Sequence, residues 1–127
     1  MTTDRVFTLD EANAELDELR ERLPRLKEAR QRLIDSAERI TAAVELDGGG
    51  IAGTDWFEAQ QALRTELLWL AGEGIVLRDP DTGLVDFPAE RDGRRVFLCW
   101  RLGEDEVGWF HEEGVGFTGR RPLSTEG

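Results

Sequence analysis

The chain has 127 residues and a formal net charge of −11, from 16 basic and 27 acidic side chains. This length fits a single domain over residues 1–127, and the acidic balance argues against nucleic acid, whose binding rewards a basic surface. A single cysteine, Cys99, excludes an internal disulfide. No apolar run approaches the roughly 18 residues that a membrane span needs. These features predict a cytoplasmic protein that binds neither membranes nor nucleic acid.

Residues 8–46 carry a helical pattern that begins with Thr8 and Glu11, which fit a capping box. Apolar residues then recur at intervals of three and four, as in a coiled-coil seam. The seam consists of Leu9, Ala12, Leu16, Leu19, Leu23, Leu26, Leu33, Ala37, Ile40 and Val44. Pro24 predicts either a bent helix or two abutting helices, with Pro24 in the first turn of the second. Arg30 occupies a seam position, where a charged residue can set the register of paired helices.

A second helix is predicted from Thr54 or Asp55 to the glycines at 72–74, after a glycine-rich connector at residues 48–53. Asp55 and Glu58 fit a capping pair at its start. Its apolar stripe comprises Trp56, Ala59, Leu63, Leu67 and Leu70, widened by Leu68 and Trp69. The two helices together predict an antiparallel helical hairpin over residues 1–74, in which the longer arm leaves part of its seam exposed.

From Ile75 onward the apolar residues alternate with polar ones, which is the period of a β-strand. Short antiparallel strands are predicted over residues 75–78, 84–87, 96–102 and 107–112, with turns at 79–83 and 91–94. The segment 114–127 reads as loop and tail. The predicted fold class is therefore α+β, with a small antiparallel sheet in residues 75–127 that packs its tryptophan-bearing face on the helices.

Five separated motifs make the chain similar to a known family. They are FTLDEAN at residues 7–13, LVDFP at 84–88, CWRLGE at 99–104, WFHE at 109–112 and GFTGR at 116–120. In these motifs and their order, the sequence resembles a prokaryotic family catalogued as domain of unknown function 2203. The resemblance covers most of the chain and implies no established activity.

The only histidine, His111, and the only cysteine, Cys99, are candidate metal ligands together with Glu104 and Glu112. Imidazole, thiolate and carboxylate groups suit a divalent transition metal such as zinc or iron. The alternative interpretation is structural, because a lone histidine on an aromatic sheet face is usually a packed residue. A lone cysteine is likewise more often a buried small apolar residue than a nucleophile.

The register of the last hairpin decides which of these residues can meet. A hairpin across residues 103–106 places Trp100 opposite Trp109, and this pair is a candidate aromatic face for a small ligand. In that register Cys99 and His111 point to opposite faces of the sheet. A bulge or a slip of one residue would bring them to the same face.

Two further features carry weaker signals. Residues 114–119 match G-x-G-x-x-G, but a dinucleotide site needs this motif to open a helix, and the eight residues that follow leave no room for one. Arg120 and Arg121 with nearby backbone N–H groups remain a candidate anion site, although a turn-rich tail is the favoured interpretation. Asp86 alternates with its apolar neighbours and is expected to face solvent or to stabilise a turn.

Two functions remain open from the sequence. The favoured one is a non-enzymatic interaction module that forms a homodimer through its N-terminal helices, because the seam exceeds what the second helix can cover and no complete catalytic set is present. The alternative is a metal- or ligand-binding protein, conceivably an enzyme, with a site around His111, nearby carboxylates and the Trp100/Trp109 face.

Overall fold

A computed structural model of the protein describes residues 5–47 and 53–123. Within these residues it contains three α-helices, α1 (Leu9–Ala14), α2 (Leu16–Asp47) and α3 (Gly53–Glu73). Five strands follow: β1 (Val76–Asp79), β2 (Leu84–Arg91), β3 (Arg94–Arg101), β4 (Trp109–Glu112) and β5 (Arg121–Pro122). They form one antiparallel sheet in the order β1-β2-β3-β4-β5. The predicted α+β class is therefore confirmed, and the connector at residues 48–52 lies outside the described residues.

The first helix begins at the predicted capping box but is interrupted elsewhere than expected. The Thr8 hydroxyl accepts a hydrogen bond from the backbone of Glu11 at 3.1 Å, and the Glu11 carboxylate accepts one from the backbone of Thr8 at 2.8 Å. The break between α1 and α2 falls at Glu15, whereas α2 continues through Pro24. Pro24 is exposed on α2 while the neighbouring Leu23 is buried. We attribute this continuity to packing, because leucine burial along α2 can offset the roughly 3 kcal/mol that an interior proline costs.

The N-terminal half of α2 packs against the sheet. Leu16, Leu19, Leu23 and Leu26 are buried and belong to the same core as the strand residues. This part of the predicted seam is therefore covered within the chain itself. Arg30, at the seam position that the pattern leaves charged, extends to the turn after β1 and donates to the Asp81 carboxylate at 2.8 Å.

Charged contacts join α2 to α3. Arg22 donates to the buried Glu66 carboxylate at 2.9 Å, while Arg32 and Arg39 donate to Asp55 at 2.9 and 2.6 Å. Asp55 also accepts from the buried Ser36 hydroxyl. The hydrogen bond from Arg32, with that from Ser36, holds the pKa of Asp55 below its ordinary value. The Asp55 carboxylate thus ties α3 to α2.

The end of α3 matches the predicted glycine stop. The helix ends at Glu73, and Gly74 follows with a φ of +80°, a backbone conformation that glycine adopts without strain. Both turns predicted in the sheet are also present, at residues 80–83 and at residues 92–93. The connection from β2 to β3 is a two-residue turn in which Asp92 and Gly93 both have positive φ, as the tightest hairpins require.

The segments around the α1–α2 break and the end of α3 meet at Arg5. Its guanidinium donates to the Glu73 carbonyl at 2.9 Å and lies 3.7 Å from the Glu15 carboxylate. Burial, followed by a hydrogen bond and like charge from Glu73, raises the pKa of Glu15 to about 7 from 4.5. The folded chain therefore holds a proton on Glu15 more tightly than the unfolded chain does.

Glu15→Gln is expected to stabilise the protein in neutral and alkaline solution. The stability that Glu15 contributes is fully present below its unfolded pKa of 4.5 and is lost as the pH rises through about 7. Glutamine mimics the protonated acid, so the variant should gain roughly 1 kcal/mol in free energy of unfolding at about pH 8, after allowance for partial exposure, and little at about pH 5. Urea unfolding at both pH values measures this, with the exposed Glu28→Gln as the control. An equal gain at both pH values would contradict the assignment.

Candidate functional site

The pairing of β3 with β4 differs by one residue from the predicted register. Cys99 lies opposite Trp109, and Phe97 lies opposite His111, so the predicted Trp100–Trp109 pair is wrong. The physical reason lies in the loop before β4. The backbone N–H of Val107 donates to the Asn13 side chain of α1 at 2.8 Å, and the Val107 side chain is buried in the core. A tertiary contact thus removes Val107 from the ladder and shifts the register.

The slip separates the tryptophans and brings the histidine and the cysteine together. Trp100 packs in the core with the helices, whereas Trp109 lies on the opposite side of the sheet. We call that side the outer face; Cys99 and His111 both lie on it. Asp86 pairs directly with Cys99 across β2 and β3, so it lies there as well. It is almost fully buried, and the expectation that it faces solvent is wrong because the side chains around it cover the outer face.

Asp86 is the centre of a buried charged group on the outer face. Its Oδ2 atom accepts from Arg78 Nε at 2.7 Å and lies 2.8 Å from His111 Nε2. The other ring nitrogen of His111, Nδ1, lies 3.0 Å from the backbone carbonyl of Glu112. A carbonyl and a carboxylate only accept hydrogen bonds, so both ring nitrogens of His111 lie beside acceptor atoms. Among the described residues, Asp86 Oδ1 has no hydrogen-bond partner.

Cys99 is completely buried beside this group. Burial raises the pKa of its thiol to about 11, the negative charge of Asp86 adds to the rise, and Arg120, whose Nη1 lies 3.9 Å from the sulfur, opposes it. A neutral, enclosed thiol is neither a nucleophile nor a ready metal ligand. The arrangement favours the structural interpretation of Cys99.

Cys99 is expected to resist alkylation in the folded protein. At about pH 8, iodoacetamide should label it at least roughly a hundredfold more slowly in the native state than in denaturant, because both burial and the scarcity of thiolate slow the reaction. Mass spectrometry of timed samples gives both rates. The variant Val115→Cys supplies an exposed thiol as a control for reagent activity. Equal native and denatured rates at Cys99 would show that the outer face opens readily.

The candidate anion residues Arg120 and Arg121 are neighbours in sequence but bind different carboxylates. Arg120 forms two hydrogen bonds with Glu104, at 2.9 and 3.4 Å, and its guanidinium lies between the rings of Trp109 and Phe117. Arg121 donates to Glu112 at 2.9 Å. Each guanidinium is therefore paired with a carboxylate of the chain itself.

The candidate metal ligands are divided between the two faces of the sheet. Glu112 pairs with the buried Val96 and points to the side opposite His111, where it binds Arg94 and Arg121. Glu104 is bound to Arg120, and His111 to Asp86. In the part of the chain that the structure describes, no three His, Cys, Asp or Glu side chains are placed to hold a metal ion.

Sequence reasoning missed that His111 is bound to Asp86, and that Asp86 is bound in turn to Arg78. The available signal was an acidic residue within an otherwise apolar strand, LVDFPA. Alternation correctly placed Asp86 on the face away from the helices. It could not show that this second face is also covered, because the covering side chains come from β1, β3 and β4.

A second candidate site lies on the helices. The outward side of α3 exposes Leu67 and Leu68, at 42% and 57% of their surface, although both belong to the apolar stripe predicted to be buried. Beside them two adjoining hollows of about 430 and 380 Å³ share Leu33, Leu63 and Leu67. We call the larger one the α2–α3 groove. It is lined mainly by Leu26, Leu33, Ile34, Leu63, Leu77 and Pro80.

The stripe is rotated because α3 presents other residues to α2. Ala59, Glu66 and Leu70 are the buried positions of α3, and Glu66 is held there by Arg22. Leu67 and Leu68 follow Glu66 directly in the helix, so they point away from the side that Glu66 presents to α2. The helices therefore carry an apolar surface that residues 5–47 and 53–123 leave exposed.

Comparison with known proteins agrees with the motifs. A family model described as "Uncharacterized conserved protein (DUF2203)" matches residues 5–123. The chain belongs to this family. No curated protein and no solved structure gives a significant match. No helix in the described ranges is long and apolar enough to cross a membrane.

The motif residues typical of the family contact one another in this fold. Asn13 of the first motif binds the loop before β4, and Asp86 of the second binds His111 of the fourth. The carboxylate of Glu104 in the third motif binds Arg120 of the fifth. Each contact joins distant parts of the chain and uses the polar groups that a substrate or metal would need. In this chain the motif residues therefore have structural partners within the described residues.

Proposed function

We propose that this protein is a non-enzymatic interaction module that works as a homodimer and pairs through its helices. The observation that carries the proposal is the exposed apolar surface of α2 and α3, where Leu67 and Leu68 border the α2–α3 groove. Contiguous apolar surface of this kind on a monomer typically marks a protein contact. Leu33 belongs to the predicted coiled-coil seam, and it lines this same groove together with the neighbouring Ile34. The surplus of that seam therefore lies in the second half of the helical hairpin.

The outer face also supports this proposal, because its polar side chains are already bound to one another. A catalytic or ligand site needs polar groups that are free to meet a substrate. His111, Glu104 and Arg120 are instead bound to side chains of the chain itself. Their geometry is that of groups that hold strands and loops together, which leaves the helical surface as the part of the described chain best suited to act on something else.

Native mass spectrometry tests the proposal, with protein purified without an affinity metal. We expect a species at twice the chain mass of 14.3 kDa, with no additional bound mass. Light scattering over a dilution series then gives the dissociation constant of the dimer. A monomer that persists at micromolar concentration would overturn the proposal. A tightly bound metal or small molecule that is lost in His111→Ala would instead establish a site protein.

A further inference from the structure

The structure suggests how two copies fit together. Resting on the proposed function, we infer that Leu67 and Leu68 of one copy insert beside the α2–α3 groove of a second copy in a two-fold contact. Both parts of this contact are on the same side of the molecule, since Leu67 itself borders the groove. A two-fold interface requires this arrangement, because each copy must present the projecting part and the receiving part on one surface.

The shape of the surface fits this arrangement. Leu67 and Leu68 project from α3, and Phe57, at 58% exposure, lies on α3 eleven residues before Leu68, which returns to nearly the same side of a helix. The groove alongside is lined by residues of α2 and α3, by Leu77 of β1 and by Pro80 in the turn that follows β1. Ridges of side chains that enter neighbouring grooves are the usual way in which helices pack. A helix of a second copy meets these requirements.

Given a homodimer, the charge distribution selects this surface as the one at which two copies meet. The chain carries a net charge of −11, so most approaches of two copies bring like charges together. Among the described residues that line the two hollows there is no carboxylate, and the charged side chains are Arg30 and Arg64. Arg30 is already paired with Asp81. Two acidic chains can therefore meet at this surface with the least repulsion.

Arg64 keeps this contact free of acidic charge. It lies one turn before Leu67 and Leu68 on α3, and within the described ranges it makes no hydrogen bond or ion pair with its own chain. In a two-fold contact each copy presents the same surface, so an acidic side chain at position 64 would place two added negative charges between two acidic chains.

Variants of the surface leucines test the inference. The double change Leu67→Gln with Leu68→Gln should raise the dissociation constant of the dimer about a hundredfold, since each leucine withdrawn from an interface is worth about tenfold or more. Arg64→Glu should raise it as well, and by less in high salt, where charges are screened. Val115→Gln is the matched control, because Val115 is equally exposed, at 50%, but lies in the sheet half. It should leave the constant unchanged.

The outcomes separate this inference from the proposed function. Positions 64, 67 and 68 are solvent-facing, so the circular dichroism spectra of these variants should match that of the natural protein. If the natural chain dimerises and the leucine variant dimerises equally well, the contact lies elsewhere; the inference fails and the proposed function stands. If Val115→Gln weakens the dimer as much as the leucine changes do, the inference also fails. If the natural chain is a monomer, both fail.

Discussion

Asp86→Ala is expected to lower the free energy of unfolding by about 3–5 kcal/mol, the usual cost of removing one partner from a buried ion pair. His111 is only 3% exposed and would be left with no acceptor at Nε2, while Arg78 would lose its carboxylate. Domains of this size are typically stable by about 5–15 kcal/mol, so the variant should be marginal at room temperature. Urea unfolding followed by circular dichroism measures the loss.

The coupling between Asp86 and His111 is tested with a control variant and a double variant. Asp105→Ala removes an exposed carboxylate from the neighbouring loop and should change stability by no more than about 0.5 kcal/mol. Adding His111→Phe to Asp86→Ala removes both buried partners, and the double variant should be at least roughly 1 kcal/mol more stable than the sum of the single losses predicts. Strict additivity would show that Asp86 and His111 act independently.

Trp100→Ala is expected to cost a similar amount, about 3–5 kcal/mol, through the cavity that it leaves in the core. Trp100 is fully buried, and its indole N–H donates to the backbone carbonyl of Glu104 at 3.1 Å, so the change also frees the loop before β4. Chemical unfolding gives the magnitude. The transition should keep its denaturant dependence if the remaining fold is unchanged.

Trp109→Ala provides the contrasting measurement. Trp109 lies on the outer face, partly exposed, with the Arg120 guanidinium 4.2 Å from its ring. Losing this contact should cost roughly 1–2 kcal/mol, well below the cost at Trp100. The two tryptophans would carry similar costs only if both faced the core, as the register predicted from the sequence would require. Equal losses would therefore contradict the observed pairing.

The course of the chain was largely predictable because it depends on local chemistry. The capping box at Thr8 and Glu11, the glycine stop after Glu73 and the Asp92–Gly93 turn are each set by residues within a few positions of one another. Whether the helix continues through Pro24 could not be predicted, for the opposite reason. Burial of leucines against a distant sheet decides whether α2 continues, and local propensity does not record that burial.

The sequence identified the candidate site residues, but it could not predict which residues they contact. A shift of one residue moves every side chain of a strand to the other face. The contact between Asn13 and Val107, separated by 94 positions, produces that shift in β4. Alternation alone therefore placed Cys99 and His111 apart and Trp100 and Trp109 together, whereas the fold does the reverse.

The sequence by itself determined the α+β order of elements, the capping box of α1, the glycine stop after α3, the turns and the family, since each depends on short-range pattern or on motif order. The predicted capping pair Asp55 and Glu58 was wrong, because α3 begins at Gly53 and Asp55 binds side chains of α2 instead. Tertiary structure alone decided that the seam leucines at 16–26 pack on the sheet, that His111 is bound to Asp86, and that Leu67 and Leu68 face outward. The periodicity of the sequence shows how apolar residues are spaced along a strand or a helix. Which neighbour covers each of them depends on contacts between residues far apart in the chain, and these set both the polar network of the outer face and the apolar surface of the helices.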